Sequence, residues 1–267
     1  MISKWKEWVQ VCLDEKPDVA LVAGDLFPKD CDILGQAFFM KHLRKYAKKI
    51  KDAGIEFVLI MGNDDNQLLI PEMDQAEKDG LWHHIHEKVV TLYDHEFVGV
   101  PWVPDYPFGY KFWCRKEHVG VTEYCYHQYG KGVEIGDDNE YHTIPNLYDY
   151  FENKPSIEDS FARLIPKVKK MSSSIWLIHA PPAGYRLDMC GSGECVGSMA
   201  VKEFIEKHQP MLTIHGHIHE SPACSGVWKV KIGDSMSIQN GQLGLKLHYN
   251  VIHIQDENIV DVQKFPK

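Results

Sequence analysis

Four short segments of the chain end an apolar run on a potential metal ligand: Val22-Ala-Gly-Asp25, Met61-Gly-Asn63-Asp64-Asp65, Ile178-His179-Ala-Pro-Pro182 and Ile214-His215-Gly-His217-Ile-His219. Asp, Asn and His make a hard-to-borderline oxygen and nitrogen donor set. Such a set suits Mn, Fe, Zn or Co better than Ca. In an extended strand, His217 and His219 would project from one face, within reach of one ion. Gly24, Gly62 and Gly216 precede or separate the donors, where the backbone is expected to turn sharply. Each segment alone reads as a turn; taken in order, each on a strand end, they read as one constellation.

The elements that must position these donors are legible in the spacing. Trp5, Trp8, Val9, Cys12 and Leu13 form the stripe of a helix with one buried face. Asp18–Gly24 and Glu56–Met61 are short apolar runs that read as buried strands. Phe38, Phe39, Leu43, Tyr46, Ala47 and Ile50 mark a helix between them, with Gly54 as its stop. Strand, helix and strand in that order imply a parallel crossover. The pattern returns with a capping box at Ser156 and Asp159 and a helix through Phe161, Leu164, Ile165 and Val168. A strand follows at 175–178, a helix at 201–207 and a strand at 211–214. Runs at 227–232, 247–254 and 259–265 are β-rich, the last two joined by a hairpin turn at Asp256-Glu257-Asn258. The class is α/β, and in such sheets ligands gather at the carboxyl ends of the strands.

The chain has 267 residues, 44% hydrophobic and 25% charged, which excludes disorder, collagen-like repeats and a coiled coil. Its formal net charge of −9 argues against non-specific nucleic-acid binding, which needs a basic surface. No run approaches the roughly 20 apolar residues of a membrane span. Seven scattered cysteines and a charged start without a leader read as a reduced, cytoplasmic protein. Residues 1–267 read as one domain interrupted by an aromatic-rich, loop-like insertion at about 102–151. That insertion either packs onto the body or walls the active site. Gly136-Asp137 within it follows no buried strand and reads as a plain turn. Gly184–Ser198, with Arg186 and Gly191-Ser-Gly193, is expected to form a loop near a phosphate.

On these motifs the sequence resembles the calcineurin-like metallophosphoesterases, whose ordered signature is D-x-H, G-D, G-N-x-D/E, a lone His and G-H-x-H. Gly24-Asp25, Gly62-Asn63-Asp64-Asp65, His179 and Gly216-His217-Ile218-His219 match the last four. The resemblance covers about residues 18–255. It implies a four-layer α/β/β/α sandwich with two mixed β-sheets and a centre of two divalent transition metal ions. By position, Asp25 would bridge the ions, Asn63, His179 and His217 would complete one site, and His219 would belong to the other. The ions would activate a bridging water for in-line attack on a small phosphoester.

Two departures accompany the match. The D-x-H motif is absent, so the second site is expected to be incomplete in this chain. A missing central strand would also leave an open sheet edge that invites a homo-oligomer. Asp64 stands where the family usually has a proton-donating His. An ionised carboxylate cannot donate a proton, which leans the expected substrate toward a phosphodiester of a small nucleotide or related molecule. Asp64 and Asp65 are the candidate catalytic carboxylates, Asp65 by holding the Asn63 loop. The alternative is a catalytically impaired or one-metal member of the fold that serves as a protein-binding scaffold.

Overall fold

The structure, a computed structural model, describes residues 2–28, 31–119 and 132–266. Helix α1 (Ile2–Glu15) lays Trp5, Val9 and Cys12 on the core and leads into β1 (Val19–Ala23). Asp32 opens α2 (Ile33–Asp52) by accepting from the Gly35 N–H, and β2 (Glu56–Ile60) returns parallel to β1. After α3 (Ile70–Lys78), β3 (His83–His84) adds a third parallel strand beside β2. The smaller sheet, β1-β2-β3, is therefore parallel in every pairing, and β1 lies at its edge.

The larger sheet is built from β4 (Val89–Leu92), β5 (His95–Val100), and, later in the chain, four more strands. Between them lie the hairpin β6 (Gly132–Ile135) and β7 (Tyr141–Ile144), then α4 (Leu147–Glu152) and α5 (Ile157–Leu164). The later elements are β8 (Ile175–Ile178), α6 (Met199–His208), β9 (Leu212–His215), α7 (Ser221–Ser225), β10 (Lys229–Ile232) and β11 (Ser235–Gln239). The sheet order is β10-β11-β9-β8-β5-β4, with four parallel central strands and an antiparallel strand at either edge. The C-terminal hairpin of β12 (Tyr249–Gln255) and β13 (Asn258–Phe265) turns at Asp256 and Glu257, both with positive φ.

Strand alternation divides the core. Val58 and Ile60 of β2 meet Ile175 and Leu177 of β8 between the two sheets. Their neighbours Phe57 and Leu59 face α1 and α2, while Trp176 packs on Phe161 of α5 and Phe204 of α6, themselves stacked at 4.2 Å. Each apolar side chain thus leaves water from one face or the other, worth roughly 1.5–3 kcal/mol apiece. This packing brings the carboxyl ends of β1, β2, β8 and β9 to one rim.

The aromatic segment holds more regular structure than its sequence suggests, in β6, β7 and α4. Gly136 and Asp137 make the turn between the two strands, where the Gly136 N–H donates to Glu140 O. Trp102, Tyr106, Phe112, Trp113 and Phe151 are buried against the body, while Phe108, Tyr110, Tyr141 and Tyr148 are exposed. Tyr124, Tyr126 and Tyr129 lie outside the described residues. Glu117 ties the segment to the body by capping α6, accepting from Ser198 Oγ and from the Met199 and Ala200 N–H groups.

Where this segment joins the body, His86 packs its ring on Trp102 and Trp113 at 5.3 and 5.4 Å, and its Nδ1 has no partner among the described residues. Burial, reinforced by His84 and Arg115, lowers its pKa to about 4. The unfolded chain takes up this proton first as pH falls below about 6.5, and the folded chain only near 4. The native state should therefore lose about 2 kcal/mol between pH 7.5 and pH 5 on account of this one group. Urea unfolding at both pH values should show a correspondingly smaller drop for His86→Leu than for wild type. Equal drops would mean that His86 is not held neutral.

Candidate metal centre

The donors follow the four strand ends within a few residues. Asp25 comes two residues after β1, and its backbone lies in the left-handed region at φ 56°, directly after Gly24 at 98°. His217 does the same at φ 66° beyond the end of β9. Two donor residues held in this sparsely populated region are the kind of local strain that gathers at functional sites. The His217–His219 pair consequently does not lie in a strand with both rings on one face, as the alternation suggests. Strand β9 ends at His215, and the turn sends the two rings to different partners.

One group forms around Asn63. His179 Nε2 and His217 Nδ1 reach the same Asn63 Oδ1 at 2.9 and 2.5 Å, and His179 Nε2 lies 3.3 Å from Asp25 Oδ1. The opposite nitrogen of His179 donates to Ala23 O at 2.7 Å, which fixes the ring and turns Nε2 inward. The second group forms around the other oxygen of Asp25. His219 Nε2 donates to Asp25 Oδ2 at 3.0 Å, and Asp25, Asp64 and His219 offer donor atoms within 4.8 Å of one another. Asp64 also receives the Asn63 side-chain N–H at 3.0 Å, and its own backbone N–H donates to Asp25 Oδ1.

The electrostatics follow from this crowding. Burial pushes the Asp25 carboxyl up, but the charges and hydrogen bonds of His179 and His219 outweigh it and hold the group well below the usual range. His179 is raised by Asp25 against the effect of its burial, and His219 by its hydrogen bond to Asp25. His217 is driven the other way, to about 3, by burial and then by His179. The ionised Asp25 carboxylate and the neutral His217 suit a divalent ion, and the protons that His179 and His219 share with Asp25 would have to leave as an ion enters. The donor set, nitrogen and oxygen without sulfur, fits Mn, Fe, Zn or Co.

Asp65 is fully buried and touches neither group of donors. Its oxygens accept the N–H groups of Leu26, Phe27 and Gly62 at 3.0, 2.9 and 2.8 Å, so it clasps the loop after β1 to the loop after β2. Burial and the Asp25 charge push its pKa up to about 7 against those three donors. Three supports of the same loop escape the sequence reading. Gln36 of α2 donates to Asp64 O and accepts the Asn66 N–H, Gln67 donates to Phe112 O, and Trp113 Nε1 donates to Asp65 O. Gln36 left a signal, a polar residue on the buried stripe of α2 in phase with Phe39, Leu43 and Ile50. Arg186 is turned to the Ser225 carbonyl, and His215 is bound by Thr213 and the Ile178 and Ala180 carbonyls in a structural role.

TT1561 of Thermus thermophilus, known from a crystal structure, aligns with a TM-score of 0.58 and 15% identity, covering 98% of this chain and 92% of its own. A second solved structure aligns at 0.55 and 15%, covering 89% and 84%. At that identity the likeness speaks for the fold. No curated protein sequence matches the chain. No described helix is long and apolar enough to cross a membrane. A sequence model of the calcineurin-like phosphoesterases matches residues 2–221, the span that carries Asp25, Asn63, His179, His217 and His219. The chain therefore belongs to the calcineurin-like phosphoesterase family of metal-dependent phosphoester hydrolases.

Proposed function

We propose that the chain is a phosphodiesterase acting on a small nucleotide or related ester in the cytoplasm. In this reading Asp25, Asn63, His179 and His217 hold one divalent ion, and Asp25, His219 and Asp64 hold a second. The observation that carries it is the division of Asp25, with Oδ1 toward His179 and Oδ2 toward His219. Bound there, two ions would supply the positive charge that activates water and neutralises the phosphoryl oxygens. The chain's own part is to hold the donors still. Ala23 O orients His179, Asp65 ties together the loops of Asp25 and Asn63, and Gln36 anchors the Asp64 backbone. With Asp64 drawn into the Asp25–His219 group, no imidazole occupies that position to protonate a poor leaving group, which favours diesters over monoesters.

The test is hydrolysis of bis(p-nitrophenyl) phosphate and p-nitrophenyl phosphate by chain stripped with chelator and reloaded with Mn. Turnover should appear only after reloading and be faster on the diester. His217→Ala should lower it by roughly a hundredfold or more with circular dichroism unchanged. A preference for the monoester would overturn the diesterase assignment. A folded, reloaded chain that cleaves neither would leave the scaffold reading in its place.

A further inference from the structure

Aromatic rings gather beside the metal centre in two groups, tied to each other where the Tyr106 hydroxyl donates to the Tyr110 carbonyl. Tyr106 is the first, its centroid 5.9 Å from that of His217, and it is itself buried. Its segment is held from beneath by a buried ion pair, Lys111 Nζ to Asp105 at 2.6 Å, with the same ammonium 4.9 Å from the Tyr106 ring. Phe108 follows 5.7 Å from Tyr106 and is 63% exposed. Tyr110, 57% exposed, packs on Phe112 and Tyr141 at 5.1 and 6.1 Å. Tyr141 ties this second group to the site, because its hydroxyl accepts from Asn66 Nδ2 at 2.7 Å, in the loop that also carries Asn63 and Asp64.

We propose that Phe108 and Tyr110 form a stacking subsite for a flat aromatic ring, of nucleobase type, on a phosphoester whose phosphoryl group sits among Asp25, Asn63 and His217. This rests on the function proposed above and adds where the organic part of the substrate binds and by which force. Two ring-to-ring steps, of 5.9 and 5.7 Å, lead from His217 to Phe108, the length scale of a nucleotide. The two exposed rings have nothing to gain from water, and their backbone is anchored by the buried ion pair, so stacking costs little ordering. The nearby ammonium, Lys111, is buried and committed to Asp105. Recognition here therefore comes from the ring face, which tolerates any base.

Calorimetry on the Mn-loaded full chain with AMP, ribose 5-phosphate and inorganic phosphate tests this. AMP should bind about 10–100-fold more tightly than ribose 5-phosphate. Phe108→Ala with Tyr110→Ala should erase that preference while ribose 5-phosphate affinity stays unchanged, and Phe108→Trp should keep it. Equal binding of AMP and ribose 5-phosphate to the wild type, or a preference that survives the double variant, overturns the subsite and leaves the phosphoesterase reading standing. If none of the three phosphates binds, that reading falls and the subsite with it.

Discussion

Asp25→Asn is expected to lower phosphoester turnover by roughly a thousandfold or more and to leave the chain unable to hold a pair of metal ions. The substitution keeps the shape and removes the charge shared by both groups of donors. Asp25 Oδ1 stands 3.3 Å from His179 Nε2, and Oδ2 stands 3.0 Å from His219 Nε2. No other described residue of the cluster faces both imidazoles with oxygens of one carboxylate. Losing the shared anion weakens each ion site, and Lewis-acid stabilisation worth several kcal/mol translates to about three powers of ten in rate. Elemental analysis after gel filtration, run beside steady-state kinetics, reads both consequences. His219→Ala is the informative companion, since it should empty only the group around Asp25 Oδ2 and spare the one around Asn63. A pair of ions retained by Asp25→Asn with unchanged turnover would show that Asp25 does not bridge.

The parts of the fold that are legible from sequence are those in which a single force sets the pattern. Residues Glu56–Met61 and 175–178 are buried on both faces, and Asp18–Gly24 is half-buried along an edge, so they read as unbroken apolar runs and appear as β2, β8 and β1. Ser156 and Asp159 announce α5 because their hydrogen bonds are local, and both arms of the capping box are formed. Strand β5 escapes the reading because its run His95-Glu-Phe-Val-Gly-Val breaks apolar character at both Glu96 and Gly99. Glu96 is buried by accepting the N–H groups of Lys169 and Lys170, and Gly99 by close approach to Ile85, neither of which is visible locally. Strand β11 escapes likewise, since its apolar character is broken by buried serines, of which Ser237 is satisfied across the sheet by Thr213. At the site, the candidate donors are legible because metal chemistry restricts residue type, and Asp25, Asn63, His179, His217 and His219 do come together in space. The supports are not legible, because Gln36, Trp113 and the Ala23 carbonyl act through contacts distant in sequence.

The glycines show the same division, and Gly62 carries the second large expectation. The sequence reading assigns Gly24, Gly62 and Gly216 to sharp turns, and turns start at Gly62 and Gly216, closed by the Asp65 and Ile218 N–H groups on their carbonyls, while only Gly24 has positive φ. What all three share is closeness to His179. A Cβ at Gly24 would lie 2.4 Å from His179 Nδ1, and one at Gly216 would lie 3.0 Å from the same atom. One at Gly62 would lie 2.5 Å from His179 Cε1, from the Asp25 backbone nitrogen and from Asp25 Oδ1. Backbone, the Asp25 carboxylate and the buried imidazole would all have to move for a single methyl group, and none of them is a flexible chain end. Gly62→Ala should therefore destabilise the fold by about 1–3 kcal/mol or more. It should also weaken Mn binding by at least roughly 10–100-fold, because the donors lose their mutual alignment. Gly109→Ala is the control, as no described atom lies within 4 Å of its Cβ position and its φ is not positive, so it should stay within about 0.5 kcal/mol of wild type. Thermal melts with and without Mn separate the two effects, since the metal-dependent rise in Tm should shrink for Gly62→Ala alone. A full rise in that variant would mean that the strand ends can part without disturbing the metal centre.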